Sequence, residues 1–114
     1  MTIIDSQIEL SELSAMAEKL NGEMVKAVAD VRLGILAVDA ELHSDLEREL
    51  LCQGSMQEDL WGFNIYPECA GEDDFIEYDS LINIRPSQGN RSRSVEDVHV
   101  QKSIVDLVNK KVRL

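Results

Sequence analysis

An α+β fold in the order α-ββ-α-ββ-α follows from three features of the 114-residue sequence. Segments with helical apolar spacing open and close the chain, two pairs of strand-like segments lie between them, and a short capped segment separates the pairs. Two hairpins joined by a helix most simply build one four-stranded, mostly antiparallel sheet with the helices packed on one face. A chain of this length supports one hydrophobic core, and so a single domain over residues 1–114.

The first helix is expected over residues 7–20. Ile8, Leu10, Leu13, Met16, Ala17 and Leu20 form its apolar stripe, Ser6 and Glu9 have capping-box spacing, and Asn21-Gly22 supplies a stop. The Val-, Ile- and Ala-rich stretch around Gly34 then predicts a hairpin with strands near 24–31 and 35–42. In "SDLERELLCQGS", Ser44 and Glu47 form a second capping box, Leu46, Leu50 and Leu51 share a face, and Gly54 marks the end of a short helix.

"DLWGFNIYP" alternates, with Trp61, Phe63 and Ile65 on one side and Asn64 and Tyr66 on the other, and Pro67 stops it. After the acidic turn "ECAGEDD", residues 75–85 alternate again, placing Ile76, Tyr78, Ile82 and Ile84 on an apolar face up to Pro86. Segments 59–66 and 75–85 are therefore expected to pair as an antiparallel hairpin. The terminal helix carries Val100, Ile104, Leu107, Val108 and Val112 on one face. Lys110, Lys111 and Arg113 complement the dipole of its last turn.

Acids outnumber bases 22 to 11, for a net charge of −11. That balance excludes general binding to nucleic acid or an anionic membrane, which needs a net basic face. No apolar run approaches the roughly 18 residues of a membrane span, and "MTIIDSQIEL" has no basic segment ahead of its apolar residues. A cytoplasmic location is expected, with Cys52 and Cys69 as free thiols. P-loop and nucleophile-elbow patterns are absent, and no residue pattern identifies a cofactor.

The phrases "GILAVDAELHSD", "QEDLWGFNIYPE" and "SLINIRPSQGNRS", spanning residues 34–94, resemble a family of small bacterial proteins classed as a domain of unknown function. The resemblance implies a bacterial, cytoplasmic domain and brings no activity, substrate or cofactor.

Two constellations could carry chemistry. The first is the loop "INIRPSQGNRSRS", which holds three arginines and no acid in an acidic chain. Guanidinium forks match carboxylate and phosphate oxygens, and backbone N–H groups around Gly89 could add donors. Arg85, Ser87, Gln88, Asn90, Arg91 and Arg93 are therefore candidates to hold an anionic ligand or an acidic partner segment. The alternative is that the arginines pair with the chain's own carboxylates, a role expected first of Arg85 at a strand end. The second is "ELHSD": if the strand extends to residue 45, Glu41, His43 and Asp45 project from one face and suit a divalent metal. Trp61 reads as a core anchor and His99 as a surface group.

A small binding or interaction module using the arginine loop is the first expectation, with a homodimer as a compatible form. The alternative is a metal-assisted hydrolase with Glu41, His43 and Asp45 at the metal and Arg85 or Arg91 on the substrate. That alternative requires both constellations to line one cleft.

Overall fold

The structure is a computed structural model that describes residues 1–20 and 22–114. In chain order its elements are β1 (Thr2–Ile4), β2 (Ile8–Glu9), α1 (Leu10–Leu20), β3 (Val25–Asp30), β4 (Ile35–Val38) and α2 (His43–Cys52). They continue with β5 (Leu60–Ile65), β6 (Ile76–Glu77), α3 (Val98–Lys111) and β7 (Val112–Arg113). One five-stranded sheet has the order β1-β4-β3-β5-β6, with every neighbouring pair antiparallel. A separate parallel pair, β2 with β7, ties the two ends of the chain together.

The expected helices and the first hairpin are present, but the sheet is wider than four strands. Thr2–Ile4 pair with β4 through Thr2↔Val38, Ile3↔Ala37 and Ile4↔Leu36. Three residues are too short to show alternation in sequence; pairing against an existing edge makes them a strand.

The expectation that all helices share one face is corrected. Ala27, Ala29, Leu36, Trp61, Phe63 and Ile65 pack with Leu13 and Ala17 of α1 and Ile104, Leu107 and Val108 of α3. Val28, Ala37 and Leu60 point to the opposite face and pack under Leu46 and Leu50 of α2. The central strands are apolar on both sides, so both sides need a helical cover.

The second hairpin is also shorter than expected. Only Asn64↔Glu77 and Ile65↔Ile76 pair, and Leu81–Asn83 and Pro86–Gln88 are single 3-10 turns. The cause lies at Gly62. A Cβ there would stand 2.6 Å from the Ser80 Oγ and 3.0 Å from the Ile82 Cγ1, so the following segment lies against bare backbone. The Asn83 amide then replaces the missing strand partner: its Oδ1 accepts the Gly62 N–H at 2.8 Å, and its Nδ2 donates to the Gly62 carbonyl at 2.9 Å. Ile84, expected on an apolar face, is exposed.

Neither expected capping box forms. Glu9 sits in β2 and its N–H is taken by the Glu12 carboxylate at 2.9 Å, one turn beyond the expected Ser6–Glu9 pair. At α2 the N-cap is Leu42, without a side-chain bond, instead of Ser44. Asn21 lies outside the described residues; Gly22 takes φ +89° and returns its N–H to the Ala17 carbonyl. The β3–β4 turn is held by the buried Asp30 carboxylate, which accepts the Arg32 and Leu33 N–H groups and the Ser55 hydroxyl. No helix among the described residues is long and apolar enough to cross a membrane.

Candidate functional site

The arginine loop is knotted by asparagine. The buried Asn90 Nδ2 donates to the carbonyls of Asn83 (2.8 Å), Ser92 (3.1 Å) and Ser94 (2.7 Å), and its Oδ1 accepts the Glu96 N–H at 2.9 Å. Asn83 adds a 3.0 Å bond to the Arg93 carbonyl. Neither amide stands out in the sequence, because one asparagine looks like another until the carbonyls that it binds have been assembled around it.

The three arginines have different environments. Arg85 is 9% exposed; its Nη2 donates to the Leu60 carbonyl at 2.6 Å and its Nη1 to the Gln57 carbonyl. Its guanidinium carbon stands 4.2 Å from the centroid of the Trp61 ring. The internal carboxylate partner expected for Arg85 is thus replaced by carbonyls and an aromatic face. Burial pulls its pKa down, and the charge of nearby Glu47 pushes it back up without an ion pair. Arg93 pairs with Asp79 at 2.6 Å on the surface. Arg91 is exposed and makes no ion pair among the described residues. Ser87 is exposed in the Pro86–Gln88 turn, and Gln88 donates to the Glu58 carbonyl at 3.1 Å.

The backbone donors expected to stay open for an anion are already filled. The N–H groups of Arg91 and Ser92 both point at the Oε2 of Glu96, each at 2.8 Å. The Ser92 hydroxyl and these two N–H groups hold the Glu96 carboxyl below its ordinary pKa. The loop does receive a carboxylate, and it is the chain's own.

Beside the loop lies an open groove of about 570 Å3. Its lining includes four acidic residues, Glu58, Asp59, Glu96 and Asp97, beside the apolar Val31, Trp61 and Val100. No lysine or arginine lines it. Asp59 is paired with Arg32 at 3.1 Å and Asp97 caps α3 through the His99 N–H at 2.8 Å. The Glu58 carboxylate accepts no hydrogen bond and forms no ion pair among the described residues.

The second constellation is not assembled as expected. The strand ends at Val38 and a helix begins at His43, so the alternation that would align Glu41, His43 and Asp45 is absent. Glu41 is exposed, and Asp45 lies 4.0 Å from Arg48 on α2. Among the described residues no group of three or more His, Cys, Asp or Glu side chains is placed to hold a metal ion. The cavity that Glu41 lines shares no residue with the groove of the arginine loop. His43 lies over the α2 face, whereas Trp61 in the groove packs on the face of α1 and α3. The one cleft required by the hydrolase alternative is not formed.

His43 instead joins a polar row. Its Nε2 donates to the Phe63 carbonyl at 2.9 Å, and burial lowers its pKa against the upward pull of that hydrogen bond. On the same face Lys26, Asn64 and Glu77 are direct neighbours across three strands. The Glu77 Oε1 accepts from Asn64 Nδ2 and from the Tyr66 hydroxyl, both at 2.9 Å. The Tyr66 hydroxyl is pushed up to about 12, first by desolvation and then by Glu77.

No curated protein and no solved structure matches this chain. A family model described as "Protein of unknown function (DUF5674)" does match, over residues 2–111. It spans the amide knot, the groove and the polar row together, and the chain belongs to the DUF5674 family.

Proposed function

We propose that the protein is a small interaction module that receives a cationic side chain of a partner protein in the groove between the arginine loop and the start of α3. The supporting observation is the make-up of that groove: four acidic residues, of which Glu58 has an uncommitted carboxylate among the described residues, beside Val31, Trp61 and Val100, with no basic residue in the lining. A lysine or arginine lays its aliphatic stem on apolar surface and keeps its charged end at carboxylates. The net charge of −11 adds long-range attraction for such a partner. Most of the loop's polar groups are committed to the fold, so the loop frames this surface more than it supplies ligands.

An anionic ligand or acidic segment is the second reading. It is favoured by Arg91, whose exposed guanidinium makes no ion pair among the described residues. Trp61 is the only tryptophan, so its fluorescence reports on the groove. Titration with a tetralysine peptide should give a saturable change, and Glu58→Gln should weaken it about fivefold, the equivalent of roughly 1 kcal/mol for one exposed charge. Glu18→Gln, the same charge change on α1, should not. Equal loss from both variants would reduce the effect to bulk charge and remove the proposal. Saturable binding of tetraglutamate, lost in Arg91→Ala, would favour the second reading.

A further inference from the structure

The four acidic residues that line the groove are held in two different ways. Glu96 and Asp97 accept backbone N–H groups, Glu96 from Arg91 and Ser92 and Asp97 from His99, each at 2.8 Å. Those donors are neutral, and the carboxylates keep their net charge. Asp59 is the only lining acid with an ion pair among the described residues: the Arg32 Nε donates to its Oδ2 at 3.1 Å. A guanidinium in that place cancels the charge that an incoming cation would use.

Arg32 is held there by a single bond. It stands on the turn between β3 and β4, next to Val31, which lines the groove, and is not itself part of the lining. The backbone of the turn is fixed without its side chain. The Asp30 carboxylate accepts the Arg32 and Leu33 N–H groups, and the Val31 N–H donates to the Asp59 carbonyl at 3.1 Å. The Arg32 side chain is 53% exposed, and its Nη groups make no hydrogen bond among the described residues. It can turn into water without stranding a buried donor. Asp59 stays behind, because its own N–H is tied to the Met56 carbonyl at 3.0 Å.

We infer that the Arg32–Asp59 pair is an autoinhibitory contact, in which Arg32 stands in for the partner's cationic side chain and competes with it for the groove. This rests on the reading of the groove as a receiver of cations. When a partner binds, its lysine or arginine takes the place of Arg32 on Asp59, and Arg32 turns out to solvent. One exposed ion pair is exchanged for another of the same kind, so the contact opens readily. The affinity of the groove is lowered by the fraction of molecules in which Arg32 holds Asp59, and removing Arg32 restores it.

Trp61 fluorescence is followed during titration with tetralysine at fixed ionic strength. The unaltered protein is compared with Arg32→Gln, Lys19→Gln and the double variant Arg32→Gln/Asp59→Asn. Lys19 is exposed on α1, outside the groove lining, and its substitution changes the net charge by the same amount. Arg32→Gln should bind tetralysine about fivefold more tightly, the factor that corresponds to opening one exposed ion pair. Lys19→Gln should gain less than about twofold, because a distant exposed charge is screened. The double variant should lose the gain. The inference is overturned if Arg32→Gln binds no more tightly than the unaltered protein, if Lys19→Gln matches it, or if the gain survives Asp59→Asn. Binding that depends on Glu58 but is unchanged in Arg32→Gln removes the autoinhibition and leaves the reading of the groove standing. Absence of binding by both the unaltered protein and Arg32→Gln removes both.

Discussion

Replacing Asn83 by alanine tests whether the arginine loop is held chiefly by side-chain amides. Asn83 is fully buried and makes three bonds: to the Gly62 N–H, the Gly62 carbonyl and the Arg93 carbonyl. The Arg93 carbonyl keeps a second donor, the Ser80 N–H at 3.0 Å, so its loss is small. The two Gly62 groups face away from β3 and have no replacement. Each buried group left unpaired costs about 1–3 kcal/mol, so Asn83→Ala should lose roughly 4 kcal/mol including the space vacated by the amide. At about 4 °C per kcal/mol for a domain of this size, the melting temperature should fall by roughly 15 °C. Asn83→Asp keeps the shape but removes the donor that serves the Gly62 carbonyl, and it should be at least as harmful at neutral pH. Urea unfolding of the three proteins measures this directly. A loss below about 1 kcal/mol for Asn83→Ala with an unchanged urea slope would mean that Gly62 finds other partners, and the amide would not be the replacement for a strand.

Arg85 and Arg91 should separate in the same assay: Arg85→Ala strips two carbonyls and the Trp61 ring of their partner and should cost about 2–4 kcal/mol. Arg91→Ala should stay within about 0.5 kcal/mol, as expected of an exposed side chain without an ion pair. The lowered pKa of His43 predicts a pH dependence. The unfolded chain takes up the proton first, so stability is fully present above the ordinary value of 6.5 and is lost as pH falls through the lowered folded value. Melting temperatures across that range should fall on acidification, and the fall should flatten in His43→Gln.

Expectations that rest on local periodicity survive in the structure except over residues 75–85, where the alternation gives way to 3-10 turns after Glu77. The stripes of α1 and α3, the hairpin around Gly34 and the alternation of Trp61, Phe63 and Ile65 all depend on which faces of one element are apolar. Legibility failed where a residue's partner lies far along the chain. Three residues at the N-terminus become a strand only because β4 offers an edge, and α2 crosses to the second face only because Val28, Ala37 and Leu60 leave apolar surface there.

The candidate sites divide in the same way. The sequence by itself determined that three arginines gather on a loop between the last strand-like segment and the terminal helix, and that His43 follows the first hairpin. Only the tertiary structure decided what those side chains meet. It set Arg85 against Trp61 and two carbonyls, turned Glu96 back into the loop's own donors, and stopped the strand before His43 could align with Glu41 and Asp45. Side-chain type determines which bonds a group is able to make. Which bond forms depends on the groups that folding brings within about 3 Å, and a hydrogen bond offset by another ångström is lost.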